Sequence, residues 1–219
     1  MPTVWFIRHA ESEANAGLPT ENPATIRLTP RGFEQAKEIA QAFQQSPDLI
    51  ITSRYQRTQQ TARPTLDRFP SVPSETWAVE EFTYLALDGT TTLHERRPLV
   101  EDFWTRLEPG NDKGGGTESF AKFMTRVQGV VHELKSSKQE FIAVFSHEQF
   151  IRAVVWLLLN NKMGDDPRLC RDCMERFRFF LKSSPMPNGA ITPVRLEGAD
   201  SWIGGMMTSH LGQAVAVPM

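Results

Sequence analysis

The stretch "TVWFIRHAES" (residues 3–12) carries a short apolar run directly into Arg8, His9 and Glu11. A strand covered on both faces reads as a nearly continuous hydrophobic run, so residues 3–7 are predicted as a core strand. Charge begins where that strand ends. Taken alone, Arg8 reads as a surface cation and His9 as a hydrogen-bonded bystander, because charged residues are mostly exposed. The rest of the chain changes that reading by repeating the pattern.

"DLIITS" (48–53) is a second apolar run, followed after a short turn by Arg57, and "FIAVFS" (141–146) is a third, followed by His147. Helices are expected between them. Thr29 and Pro30 suit an N-cap and first turn, and Ala36, Ile39, Ala40 and Phe43 fall on one face at helical spacing. "RTQQTARPTL" begins another helix that Pro64 can kink. "ETWAVEEF" (75–82) is predicted as a more exposed strand, "PLVEDFWTRL" as a short helix, and "EPGNDKGGG" as a loop. Thr117 is expected to open a long helix with Phe120, Phe123, Met124, Val127, Val131 and Leu134 on one stripe, and a buried helix is expected from about 149 to 160. "FRFFLKS", "AITPVRL" and "SWIGGMM" read as edge strands separated by turns.

Alternating apolar strands and amphipathic helices predict an α/β fold: a three-layer sandwich with a mostly parallel central sheet flanked by helices. The 219 residues suffice for one domain, 1–219, with a sizeable core, and the weakly patterned segment 83–116 is expected to be a small inserted cap. A net charge of −2 lacks the basic excess of a nucleic-acid binder. No stretch approaches the roughly 20 apolar residues of a membrane span, and "AVVWLLL" (153–159) fits a buried helix. The N-terminus lacks a basic leader and cleavage site, so a cytoplasmic protein is expected. Cys170 and Cys173 form a CxxC without a second pair or a histidine cluster; structural or incidental thiols are favoured over a redox pair.

In a parallel sheet the carboxyl ends of the strands share one edge, where ligands bind. Arg8, His9, Arg57 and His147 can therefore converge, beside helix N-termini that favour anions. Arginine forks match phosphate oxygens. Strand alternation sends Glu80 and Glu81 to opposite sides, so that one faces the pocket; spacing alone leaves open which.

"RHAES" (8–12), "LTPRGFEQA" (28–36), "TSRYQRTQQTA" (52–62), "EEF" (80–82) and "FSHEQFIRAV" (145–154) together resemble the histidine phosphatase superfamily, which includes the phosphoglycerate mutases. The resemblance spans most of the first 155 residues. The C-terminal third is covered only by the strand entry from Pro187 to Thr192 and by "SHL" near the end.

The resemblance implies a phosphatase in which His9 is phosphorylated and then hydrolysed, with Arg8, Arg57 and His147 on the non-bridging oxygens. It places the leaving-group acid at Glu81, with Glu80 as the fallback. Ser12, Asn15, Arg27 and Glu148 are the candidate substrate contacts. No cofactor or metal is implied, and no metal-ligand set stands out. The expected partner is a phosphorylated small molecule or phosphopeptide, with no nucleic acid or membrane, and the protein is expected to be a monomer or homodimer. His94, His132 and His210 and the arginines 96 and 97 read as surface or structural groups, although Phe103, Trp104 and the cap arginines hint at an apolar and cationic pocket.

Three departures stand out. Ala10 occupies a position where the family often has glycine. Glu148 in "SHEQ" replaces the glycine of "SHGG"; it either caps the next helix or shapes substrate choice and weakens phosphate binding. Phe82 and Leu85 stand where mutase relatives carry arginine and glycine, which favours phosphatase over mutase. A catalytically weak phosphate-sensing or protein-binding module is the alternative of another class.

Overall fold

The structure is a computed structural model describing residues 1–86, 89–112, 114, 116–160, 170–197 and 201–212. The expected cap therefore includes four positions, 87, 88, 113 and 115, that lie outside the described residues, as do 168 and 169 of the stretch before Cys170.

The elements run β1 (Thr3–Arg8), α1 (Pro30–Ala42), β2 (Leu49–Thr52), α2 (Gln56–Arg68), β3 (Ser74–Thr76), α3 (Leu93–Arg106), α4 (Phe120–Ser136), β4 (Phe141–Ser146), α5 (Glu148–Asn160), α6 (Arg171–Ser183), β5 (Ile191–Arg195) and β6 (Trp202–Ile203). The strands form one sheet in the order β3-β2-β4-β1-β5-β6. The first four in that order are mutually parallel, while β5 and β6 are antiparallel to their neighbours.

Both faces of the sheet are covered, which explains why all six residues of β4 are buried. Val4, Phe6, Leu49, Ile51, Ile142 and Val144 pack with α4, α5 and α6 on one side. Ile7, Ile50, Ala143 and Phe145 pack with Ile39 and Phe43 at the α1 end and Ala62 of α2 on the other. Successive strand residues alternate between these two cores, as the pleat requires. Phe103 and Trp104, expected at a pocket, belong to the first core and are not among the residues lining the cavity at His9. No helix among the described residues is long and apolar enough to cross a membrane.

Helix starts follow local chemistry. The Thr29 side chain accepts from the Gly32 amide, with Pro30 in the first turn of α1. Gly32 has a second role: a Cβ there would lie 2.0 Å from the Glu11 carbonyl oxygen, so the missing side chain lets α1 close against the loop after His9. Helix α4 starts at Phe120 with Ser119 as its cap, three residues after the expected Thr117, whose hydroxyl instead serves the preceding loop. Helix α3 begins earlier than expected because Thr92 and Glu95 form a reciprocal capping box. Pro64 does not end α2, which continues to Arg68.

Two expected strands are corrected. The strand is Ser74–Thr76, so of the 75–82 region only Glu75 and Thr76 are strand; Trp77 makes one more bond to Thr52, and then Val79 turns back on the Trp77 carbonyl, taking the chain out of the sheet. "FRFFLKS" belongs to α6, because Met174 and Phe177 fall at helical spacing and bury together. Cys170 and Cys173, expected as thiols, are joined by a disulfide with a Cα separation of 5.2 Å. They occupy the cap and third positions of α6, a spacing that brings the two sulfurs into reach.

Candidate active site

The sheet register sets the geometry. Arg8 pairs with Ser146, and Thr52 pairs with Phe145, so β1, β2 and β4 end level with one another. The residues that follow each end, His9, Ser53 and His147, meet behind a cavity of about 340 Å³ lined by Arg8, His9, Arg57, Glu81 and Glu148 at its inner end.

His9 is 4% exposed. Its Nδ1 lies 2.8 Å from the Ala10 carbonyl oxygen, and Arg57 Nε donates to its Nε2 at 3.1 Å. A guanidinium only donates, so Nε2 is the acceptor and Nδ1 carries the proton. Burial, followed by the charges of Arg57 and Arg8, holds the His9 pKa well below its usual value. The ring is therefore neutral, with its Nε2 lone pair toward the guanidiniums.

Arg57 is 6% exposed and spreads its fork over three acceptors: His9, the Pro23 carbonyl at 2.6 Å and His147 Nδ1 at 3.0 Å. Burial lowers its pKa to about 10, which leaves it charged at neutral pH. His147 is fully buried and its own pKa is lowered, chiefly by burial. Because Nδ1 accepts from Arg57, its Nε2 donates to Ser53 Oγ at 2.9 Å. His147 thus stands behind Arg57 and does not line the cavity.

Arg8 donates to the Met186 carbonyl and to Glu148 Oε2 at 2.9 Å, while its buried Nε has no partner. The other Glu148 oxygen meets Arg152 Nη1 at 2.9 Å, and Arg152, 4% exposed, donates from Nη2 to the Phe180 and Leu181 carbonyls. Glu148 lies in the first turn of α5, yet its carboxylate is held by two arginines on the cavity wall.

Glu81 lines the cavity; Glu80 does not and pairs with Arg54 at 3.2 Å and Arg126 at 3.9 Å. Strand alternation does not make this choice. The turn at Val79, whose carbonyl accepts from Ser146 Oγ at 2.6 Å, carries Glu81 over the sheet edge. Its Oε1 accepts from the Phe82 and Gln149 amides. Burial first, then the charge of Glu148, raises its pKa against the opposing effects of the Phe82 bond and of Arg57 and Arg8.

Ser12 and Asn15 line the cavity, with Ser12 Oγ donating to Asn15 Oδ1 at 2.8 Å. Arg27 is exposed and outside it. Arg96 reaches the outer wall, whereas His94 and Arg97 line an adjoining cavity. His132 is exposed, and His210 is bonded to the Gly189 carbonyl at 3.0 Å. Sequence reading missed Asn188, whose side-chain amide donates to the His9 carbonyl at 3.1 Å and to Asn15 Oδ1 at 3.0 Å. The family resemblance covered its segment, Pro187 to Thr192, but only as a strand entry; the Asn188-Gly189 turn, with Gly189 at φ 77°, was the other cue. The carbonyls of Pro23 and Met186 gave no cue at all.

A neutral imidazole lone pair held among guanidiniums is suited to accepting and releasing a phosphoryl group, the chemistry of phosphatases that work through a phosphorylated histidine. The chain belongs to the histidine phosphatase superfamily: the model of its branch 1 matches residues 4–172. Among its relatives, fructose-2,6-bisphosphatase of Saccharomyces cerevisiae is 28% identical over 172 residues, 75% of this chain but 36% of that protein. The adenosylcobalamin/alpha-ribazole phosphatase of Escherichia coli is 28% identical over 168 residues, 71% of this chain and 78% of the relative. A crystal structure of a phosphoserine phosphatase mutant from Entamoeba histolytica superposes with a TM-score of 0.71 at 20% identity, covering 96% of this chain and all 100% of that one.

Proposed function

We propose that this chain hydrolyses a phosphomonoester of a small molecule, without a metal, through a phosphohistidine on His9. The observation that carries this is the His9 tautomer: Nδ1 is bound to the Ala10 carbonyl and Nε2 is presented to Arg57. In the reaction His9 Nε2 attacks phosphorus, the P–O bond to the alcohol breaks, and Glu81 gives its proton to the departing oxygen. Water then attacks phosphorus as Glu81 takes its proton, the P–Nε2 bond breaks, and inorganic phosphate leaves with His9 free again. Arg57 turns from His9 to the phosphoryl oxygens, and the unpartnered Nε of Arg8 donates to another. Two guanidiniums thereby supply the positive charge that a metal would otherwise bring. Residues 83–116 act as a cap within a single domain, with α3 contributing Leu93, Arg96 and Val100 to the cavity wall. Phe82 and Leu85 line the cavity at positions where, by the family resemblance, mutases carry arginine and glycine, which favours a phosphatase.

The test is hydrolysis of p-nitrophenyl phosphate in EDTA, with trapping of an acid-labile phosphate on the peptide containing His9. Dependence on added divalent cation, or a trapped phosphate elsewhere, contradicts the mechanism.

The pH profile follows from the two shifts. The active form has neutral His9 and protonated Glu81. The lowered His9 pKa moves the acid limb of kcat/KM below the usual imidazole value of about 6.5. The raised Glu81 pKa places the basic limb above the usual carboxylate range. Glu81→Gln should abolish the basic limb and cost about 10²- to 10⁴-fold with alkyl phosphates. It should cost much less with p-nitrophenyl phosphate, whose leaving group needs no proton. A basic limb that survives in Glu81→Gln assigns it to another group.

The charge of Glu148 opposes phosphate and adds to burial in raising the Glu81 pKa. Glu148→Gln removes that negative charge, so the basic limb should move to lower pH and inhibition by inorganic phosphate should tighten by about tenfold. Unchanged inhibition and an unchanged limb mean that Glu148 is only a helix-end residue.

A further inference from the structure

The cavity changes character along its length. Its inner end holds Arg8, Arg57, Glu81 and Glu148, whereas its outer wall includes the apolar Leu85, Leu93 and Val100. Beyond that wall lies a second cavity of about 660 Å³, bounded by Gly17, Thr92, Leu93, His94, Arg97 and Val100. Leu93 and Val100 line both cavities, so the two adjoin across these side chains. Leu93, at the start of α3, is 60% exposed, and Leu18, next in sequence to the Gly17 that bounds the second cavity, is 50% exposed.

The charged side chain on the outer wall is Arg96, and it is already engaged. Its Nε donates to the Thr92 carbonyl at 3.2 Å and its Nη1 to Thr20 Oγ1 at 3.4 Å. No carboxylate faces the outer wall among the described lining residues; both acids of the cavity sit at the phosphate end. An ammonium group on the alcohol half of a substrate would thus find no counter-charge there. An apolar body would instead cover the exposed Leu93 and the open part of the half-buried Val100, and this burial favours binding.

We propose that the preferred substrate is a phosphomonoester whose alcohol part is an uncharged, apolar body of several carbons, seated on Leu85, Leu93 and Val100 and extending toward the second cavity. This rests on the phosphatase reading of the inner end and adds the leaving-group class to it. Phosphate occupies the arginine end, and the ester oxygen faces Glu81. From there the carbon skeleton leaves along the α3 wall.

The test uses ethyl, butyl and hexyl phosphate, with O-phospho-L-serine as the charged comparison. The three alkyl alcohols have nearly equal acidity, so differences in kcat/KM report binding of the chain rather than leaving-group chemistry. The value should rise by about tenfold or more from ethyl to hexyl phosphate, carried mainly by KM, and should exceed that for phosphoserine. Leu93→Ser should reduce the hexyl-to-ethyl ratio at least threefold. Leu93 is exposed, so this substitution leaves the core intact, which a melting curve verifies. A flat series, a preference for phosphoserine, or a ratio untouched by Leu93→Ser overturns the proposal while leaving the phosphatase reading in place. Hydrolysis of none of the four esters, nor of p-nitrophenyl phosphate, overturns both.

Discussion

Alanine in place of His9 should reduce turnover of p-nitrophenyl phosphate by about 10⁴-fold or more, the scale of loss when an enzyme is deprived of its nucleophile. No neighbour can substitute for it. His147 lies with its ring centre 5.2 Å away, but its Nδ1 is engaged by Arg57 and its Nε2 by Ser53, and it does not reach the cavity wall. The two carboxylates at the inner end are acids or counter-ions beside anionic phosphate, poorly placed to attack it. The fold should survive, because deleting the ring leaves the Ala10 carbonyl and one Arg57 donor without their partner, at a cost of about 1–3 kcal/mol. Circular dichroism and a melting curve would separate lost chemistry from lost structure. A folded His9→Ala protein with wild-type turnover would exclude the phosphohistidine route.

Arg57→Lys should cost about 10²- to 10³-fold in kcat/KM and weaken inhibition by vanadate in parallel. Charge is preserved by this change, so a large effect isolates geometry. Arg57 directs three nitrogens to three acceptors that lie in different directions: His9, Pro23 and His147. A lysine carries one nitrogen on a flexible stem and cannot span them. It would leave His147 Nδ1 or His9 Nε2 without a donor and the phosphoryl oxygens without a fork. Tyr55, whose ring lies 4.8 Å from the guanidinium carbon, would also lose its stacked cation. A lysine variant within about threefold of wild type would reduce Arg57 to a point charge.

How much of this could be read from the sequence depended on the kind of information each feature used. The ends of β1, β2 and β4 were legible because a short apolar run stops abruptly at charge in each, and a parallel sheet brings such ends level. Helix α6 was not. Seven residues of "FRFFLKS" are too few to separate strand from helix, and the deciding partner, Met174, lies outside that window. The choice of Glu81 over Glu80 depended on a backbone turn at Val79 that alternation cannot anticipate. His147 was expected on the phosphoryl oxygens; the structure puts it behind Arg57, because Ser53 and Thr58 build a buried hydrogen-bonded shelf for its far nitrogen. Carbonyl partners were invisible in principle, since every residue carries one.

That last fact bears on the segment that follows α5. The family model stops at residue 172, yet the oxygens that hold Arg152 and Arg8 come from Phe180, Leu181 and Met186. What this region gives the two arginines is the course of its main chain, while Asn188 adds a side-chain amide to the His9 carbonyl and Asn15. The residues that lend these three oxygens can change with little effect on the arginines, provided the path is kept by the buried Met174 and Phe177 and by the Asn188 amide. A boundary drawn where recognisable motifs end would instead cut away the carbonyls that anchor Arg8 and Arg152.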